Sequence, residues 1–225
     1  MPTLDYTPID YNSWNFGGQG KNILDSLKKS ERDIWGAALP FQDKREDIGH
    51  AETVTYFALK ILESIPADRR IVIPAAILHD TGWSQLSSEE IAKFYLPNWK
   101  EFEPQLRRKH QEEGVKTARE VLGVLYKKEL IPSILEIISQ HDTRQGFLNT
   151  EDGVVRDADK LWIFTAPCCE LAVRKERNFG KSIYNQLNEW LSSESFFYSP
   201  ISKSIARKEF ENSLSYLHEK NISLE

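Results

Sequence analysis

Five histidines occur in the 225 residues, and four of them fall on regular spacings. His50 shares a stripe with Val54, Phe57 and Ile61, and His79 ends the stripe Val72, Ala75, Ala76. His110 precedes Gly114, Ala118, Val121 and Leu125 at steps of three and four, and His141 follows Ile134 and Ile138. Each lies on or beside the core-facing stripe of a different helix. One such histidine reads as a buried, hydrogen-bonded core residue. Four on four helices, with Asp80 directly after His79, call for a common partner, because imidazole is costly to bury alone. A shared metal ion supplies one, and neutral imidazole is the commonest metal ligand. Asp157 and Asp159 are further carboxylates: Asp159 shares a helical face with Val155, Trp162 and Ile163, Asp157 with Val154 and Leu161. Periodicity leaves the choice between them open. His218 lies outside the pattern and is assigned no role. The adjacent Cys168 and Cys169 lack metal-ligand spacing and are a poor disulfide pair, so they read as buried thiols.

The elements that must position these residues are helices. Residues 1–20 carry prolines, glycines and the aromatics Tyr6, Tyr11, Trp14 and Phe16 with no helical period, which predicts an irregular, packed arm. A first helix is expected over Asn22 to Leu39. A second runs from Ile48 and ends before Pro66. Asp68 is a candidate cap for a third reaching His79, with a late start or a kink at Pro74. A short helix over 87–94 opens at Ser87 or Ser88, and Glu103-Pro104 opens a longer one. Pro132 suits the start of the next. One helix is expected from about Val154 to Arg174, and two more over 180–192 and 200–219. No stretch alternates as a strand does, and no repeat is found. The fold class is all-α, a helical bundle, with residues 1–45 as arm and first helix and 46–225 as the core.

Net charge is −5, from 29 basic and 34 acidic residues, and the pI is about 5.7. Binding to nucleic acid through overall charge is therefore not expected. The N-terminus has no basic segment followed by an apolar one, and no run approaches the roughly 20 apolar residues of a membrane span. A cytoplasmic protein with no membrane partner is expected; oligomeric state is left open.

The order H-x28-HD-x29-H-x30-H-x17-D, set in "REDIGHAETVTYFALKIL", "RIVIPAAILHDTGW", "KHQEEGVKTAREVL", "ILEIISQHD" and "VVRDADKLW", resembles the HD-domain superfamily of metal-dependent phosphohydrolases. The resemblance covers residues 45–175, with the last helix similar to that of small bacterial members. It implies a metal held by His50, His79, Asp80 and Asp159, with Asp157 in a supporting position. In binuclear members two further histidines, here His110 and His141, hold a second ion and the aspartate of the HD pair bridges. The alternative is that these two contact substrate phosphate or line the pocket.

The resemblance further implies one or two divalent ions (Mn, Fe, Co, Ni, Zn or Mg), a metal-activated water steered by Asp80 or Glu113, and attack on phosphorus. Lys160 matches a lysine that contacts phosphate in related triphosphohydrolases, and Arg144 and Arg156 are further candidates. Trp83 reads equally as pocket wall or core. Many nucleotide-cleaving members carry an arginine three residues before the first histidine; here that position is Asp47 and the nearest arginine is Arg45. The expected substrate is a small phosphate ester or a nucleotide. Competing expectations are a diiron oxygenase on the same fold and a non-catalytic ligand-binding module.

Overall fold

The computed structural model describes residues 6–45, 47–93, 96, 98–174 and 182–224. Residues 1–5 of the predicted arm, Phe94 at the end of the short predicted helix and residues 180–181 lie outside that set. Among the described residues there are ten α-helices and no strand, so the chain is all-α.

The centre of the bundle is α3 (Arg69–Leu78), in which every residue from Val72 to Leu78 is buried. A helix that is apolar on all sides must be surrounded. The helices α2 (His50–Leu62) and α7 (Thr150–Trp162) pack on it and on each other, and α6 (Ile131–Gln140) covers another side. The long α5 (Glu103–Leu125) packs on α6, and α1 (Lys29–Ala38) lies against both α3 and α5. The C-terminal α8 (Ala166–Arg174), α9 (Ile183–Ser192) and α10 (Pro200–Glu219) cluster together, with α10 reaching α7. The short α4 (Ser88–Ala92) is opened by Ser87 in a capping box with Glu90. Nearby, Trp83, Leu86 and Leu106 form a small separate apolar cluster.

Pro74 neither delays nor ends α3. Asp68 caps the helix by accepting from the Arg70 N–H at 2.9 Å, and helical structure starts at Arg69. The N–H missing at Pro74 would leave the Arg70 carbonyl unpaired. The Tyr126 hydroxyl donates to that carbonyl at 2.8 Å.

Two expected helices are each divided. The segment from Asn22 to Leu39 contains a 3-10 turn at Leu24–Ser26, an extended step at Leu27 and Lys28, and then α1. The break is held by Glu31, whose carboxylate accepts from the Lys28 N–H at 2.7 Å and from the Arg69 guanidinium. The segment expected as one helix from 154 to 174 starts earlier, at Thr150, and splits into α7 and α8. Asn149 caps α7 by accepting from the Asp152 N–H at 2.9 Å. Pro167 has no N–H for the Ile163 carbonyl, and the break between Trp162 and Ala166 falls at that lost bond.

The N-terminal arm is irregular and tied down at its buried end. Tyr6, Ile9 and Tyr11 are buried, and Trp14 and Phe16 pack against the core. The Glu209 carboxylate of α10 accepts from the Tyr6 hydroxyl, from the Ile9 N–H at 2.8 Å and from the Tyr11 hydroxyl at 2.7 Å. Burial pushes the Glu209 carboxyl above its ordinary range. These residues join the same core as α2, α3 and α7.

Candidate metal centre

Helix ends and one helix interior bring the four histidines together. His50 is the first residue of α2, where the Asp43 carboxylate accepts the N–H of Gly49 at 2.8 Å and of Ala51 at 3.1 Å. That anion fixes the positive end of the helix and the entry of the chain. His79 and His141 each follow the last residue of a helix, α3 and α6. His110 sits in the N-terminal half of α5. All four are buried.

The ring Nδ1 atoms of three histidines meet main-chain oxygens. His79 faces Ala76 at 2.8 Å, His110 faces Leu106 at 3.3 Å and His141 faces Ile138 at 2.9 Å. Such a contact puts the proton on Nδ1 and leaves Nε2 bare in the neutral ring. The Nδ1 of His50 is buried with no partner among the described residues.

The Nε2 atoms converge in two pairs around Asp80. His50 and His79 stand 3.1 Å apart, and His110 and His141 3.3 Å apart. Asp80 reaches both pairs with different oxygens. Its Oδ2 is 3.2 Å from His50 Nε2, and its Oδ1 is 3.4 Å from His110 Nε2 and 3.3 Å from His141 Nε2. Asp159 closes on the first pair, with Oδ1 3.4 Å from His50 and 3.6 Å from His79. Among the described residues, His50–His79–Asp80 and Asp80–His110–His141 each have the donors to hold a metal ion.

The chemistry of these donors fits a cation. Bare imidazole nitrogens at 3.3 Å repel one another and the carboxylate beside them unless positive charge lies between. Burial opposes a charge on His79, but Asp80 and Asp159 outweigh it and push the ring up to about 9. His141 is raised in the same way against its burial by Asp142 and Asp80, whereas burial dominates at His110 and lowers it. Despite burial, Asp80 is held well below the usual carboxylate range by Arg45 and the neighbouring imidazoles.

Packing of the turn after Asp80 is unusually close. In the 3-10 turn Thr81–Gln85, Gly82 lies directly on the backbone of α5. Trp83 stacks on His110 with ring centroids 4.1 Å apart and donates from Nε1 to Asp80 Oδ1 at 3.1 Å. This tryptophan is thus both core and site: it is buried and it orients one histidine and one carboxylate.

A cavity of about 260 Å³ opens over the cluster. Its floor includes His50, Asp80 and Asp159, and Arg45, Arg107 and Lys160 lie around it. Its apolar side comes from Trp162, Leu171, Trp190 and Phe196, with Cys168 also reaching it. Cys169, by contrast, is fully buried.

Other candidates from the sequence face elsewhere. Asp157 turns away from the histidines and accepts the N–H groups of Tyr198 at 2.7 Å and Ser199 at 3.0 Å. The Arg156 guanidinium donates to the carbonyls of Gly146 and Arg144, and Arg144 pairs with Glu136 at 2.6 Å. Both arginines hold the connection between α6 and α7, and neither lines the cavity. Glu113 pairs with Lys116 at 2.7 Å and is likewise absent from the cavity wall. Lys160 does line it, with Nζ donating to the Phe196 carbonyl and lying 5.0 Å from the ring centres of Phe147 and Phe196.

Three site residues were not singled out as such from the sequence. Arg45 reaches Asp80 Oδ2 at 3.1 Å and Asp47 at 3.0 Å, and lies over the Trp83 ring. Arg107 pairs with Asp142 at 2.7 Å. Asp142 itself stands beside His110 and His141. A signal for Asp142 exists, since the tripeptide His-Asp-Thr occurs at 79–81 and again at 141–143.

The profile of the HD domain matches residues 47–162, just over half of the chain, and the protein belongs to that family. Membership implies a metal-dependent, hydrolase-type function, and HD domains bind divalent metals. Comparison with curated proteins and with solved structures gave no match. No helix among the described residues is long and apolar enough to cross a membrane.

Proposed function

We propose that the protein is a metal-dependent phosphohydrolase acting on a small organic phosphate, a phosphate ester or a nucleotide. The observation that carries this reading is the cavity itself: the His50 imidazole and the carboxylates of Asp47, Asp80, Asp142 and Asp159 line it beside the cations Arg45, Arg107 and Lys160, with an apolar side next to them. His50, His79, Asp80 and Asp159 would hold one ion, and His110 and His141 with Asp80 a second. A bound divalent ion would supply a water of lowered pKa and neutralise charge on a phosphoryl oxygen. Arg45 and Arg107, which line the cavity, would receive the phosphoryl group's remaining charge, and their carboxylate partners would keep them oriented before substrate arrives. The side formed by Trp162, Trp190 and Phe196 would take the organic part of the substrate and exclude water from it.

The test is phosphate release from a panel of nucleotides and phosphate esters by protein loaded in turn with Mn²⁺, Co²⁺, Fe²⁺ or Mg²⁺. Turnover that requires the metal and stops on chelation is expected. Two irons per chain with oxygen consumption and no phosphate release would replace this reading with the oxygenase one.

Metal loading should be linked to protons. His79 ionises at about 9 in the metal-free protein, so at pH 7–8 an ion must displace its proton to ligate. Apparent affinity is expected to rise with pH and to level off above about 9. Calorimetry in two buffers of different ionisation heat should detect the proton released. The linked stability has a definite sign. The raised pKa stabilises the metal-free protein fully below the ordinary histidine value of 6.5, and this contribution fades as pH climbs through about 9.

A further inference from the structure

We propose that Asp142 is a metal ligand, completing around His110 and His141 the donor set that Asp159 completes around His50 and His79. This inference rests on the metal-centred reading above and deepens it. The second half of the cluster then has two imidazoles and two carboxylates, like the first, and holds an ion of its own rather than only accommodating a loose one.

The two halves correspond donor by donor. Asp159 Oδ1 lies 3.4 Å and 3.6 Å from the two Nε2 atoms of its pair. Asp142 Oδ2 lies 3.4 Å and 3.9 Å from the two of its own. Asp80 serves both halves, one oxygen to each. Donors about 2.1 Å from a common ion at a tetrahedral angle stand about 3.4 Å apart, which is the spacing seen here. Side-chain exposure also agrees, at 15% for Asp142 and 14% for Asp80.

The local chain is built twice. At 79–81 and 141–143 a histidine follows the last helical residue, with Nδ1 on the carbonyl three residues back, at 2.8 Å and 2.9 Å, and an aspartate comes next. The first aspartate of this repeat is the shared carboxylate of the cluster. The second presents Oδ2 to the same two Nε2 atoms, at 3.4 Å and 3.9 Å.

A role confined to pairing with Arg107 does not account for this orientation. Pairing with Arg107 alone does not require that same oxygen to stand 3.4 Å and 3.9 Å from two imidazole nitrogens. Arg107 is itself fixed by Glu103 at 2.7 Å and acts as the supporting partner that orients a ligating carboxylate.

The test uses Co²⁺ alone as probe on the full-length protein. Wild type is expected to bind two ions per chain. Asp142→Asn should keep the first and lose at least about tenfold in affinity for the second, while Asp159→Asn should do the reverse. Arg107→Gln should weaken the second ion less than Asp142→Asn does. Asp142→Cys provides a readout that a structural role would not move: it should add a near-ultraviolet thiolate-to-cobalt charge-transfer band absent from wild type, whose Cys168 serves as internal control. Circular dichroism of each metal-free variant confirms folding. Wild type that binds two ions, with Asp142→Asn unchanged and no band in Asp142→Cys, overturns the role of Asp142. Wild type that binds one ion overturns the second half-site. Wild type that binds none overturns the metal-centred reading itself.

Discussion

Asp80→Ala is expected to empty the centre, taking metal content close to zero under conditions that load wild type. The reason is that Asp80, alone among the described residues, belongs to both candidate ligand groups, reaching His50 with one oxygen at 3.2 Å and His141 with the other at 3.3 Å. Without it each pair keeps two imidazoles and the repulsion between their bare nitrogens. Loss of a supporting residue alone costs about 10–100-fold in affinity, and loss of a shared ligand should exceed that. Any metal-dependent hydrolysis should fall by more than the roughly 100- to 1000-fold seen when a single charge-stabilising group is removed. The fold should persist, because α3 is held by its buried apolar residues upstream of the site. Circular dichroism and elemental analysis on the same sample decide the matter. A folded variant that retains full metal content would refute the shared role, and His79→Ala, which removes one imidazole from the first pair, provides the comparison.

How far this centre could be read from the residues depended on whether a side chain lies on a periodic stripe. The histidines do, so helical spacing places each of them inward without knowledge of the fold. The carboxylates were harder. Asp157 and Asp159 occupy adjacent faces of α7, and both are directed inward, one to the histidines and one to the N–H groups of Tyr198 and Ser199. Only the position of α10, which no local pattern reveals, separates the two environments. Arg45 and Arg107 are ordinary charged residues in sequence, and Asp142 is marked there by the repeated His-Asp-Thr alone. They become site residues because two helix ends and α5 bring them together, and long-range juxtaposition leaves little local trace.

The fold shows the same division. Capping residues and apolar spacing predict α4, α5 and α6 closely, since Ser87, Glu103-Pro104 and Pro132 sit at helix starts as their chemistry requires. Pro74 and Pro167 show what is not local. Each removes one backbone N–H. At Pro74 the orphaned Arg70 carbonyl finds the Tyr126 hydroxyl, and α3 continues. At Pro167 the chain breaks into α7 and α8. The proline is the same; the Arg70 carbonyl is met by a hydroxyl, whereas the Ile163 carbonyl is met by the Cys169 thiol at 3.8 Å, a weaker donor.

Gly82→Ala is expected to be the most damaging single-methyl addition in the protein. A Cβ at this position would fall on the His110 carbonyl oxygen and the Gly114 nitrogen, and 2.8 Å from the His110 carbonyl carbon. These are backbone atoms of α5, so no side chain can rotate away and the turn must lift off the helix. Overpacking of a close contact costs about 1–3 kcal/mol when side chains yield, and a backbone-on-backbone clash should sit at or above the upper end. For a chain of this length, about 3 kcal/mol lowers the melting temperature by roughly 6–12 °C. The displacement also reaches the centre, because the turn carries Trp83, which stacks on His110 and donates to Asp80. Lost stability should therefore come with lost metal affinity. Gly36→Ala and Gly123→Ala are the controls: both glycines are in helices, in α1 and α5, and a Cβ at either meets nothing within 4 Å. There the same substitution should stabilise by about 0.5–1 kcal/mol through helix propensity alone. Thermal melts of the three variants, with and without metal, test the sign as well as the size. If Gly82→Ala melts with the two controls and binds metal as wild type does, the turn does not depend on close approach to α5.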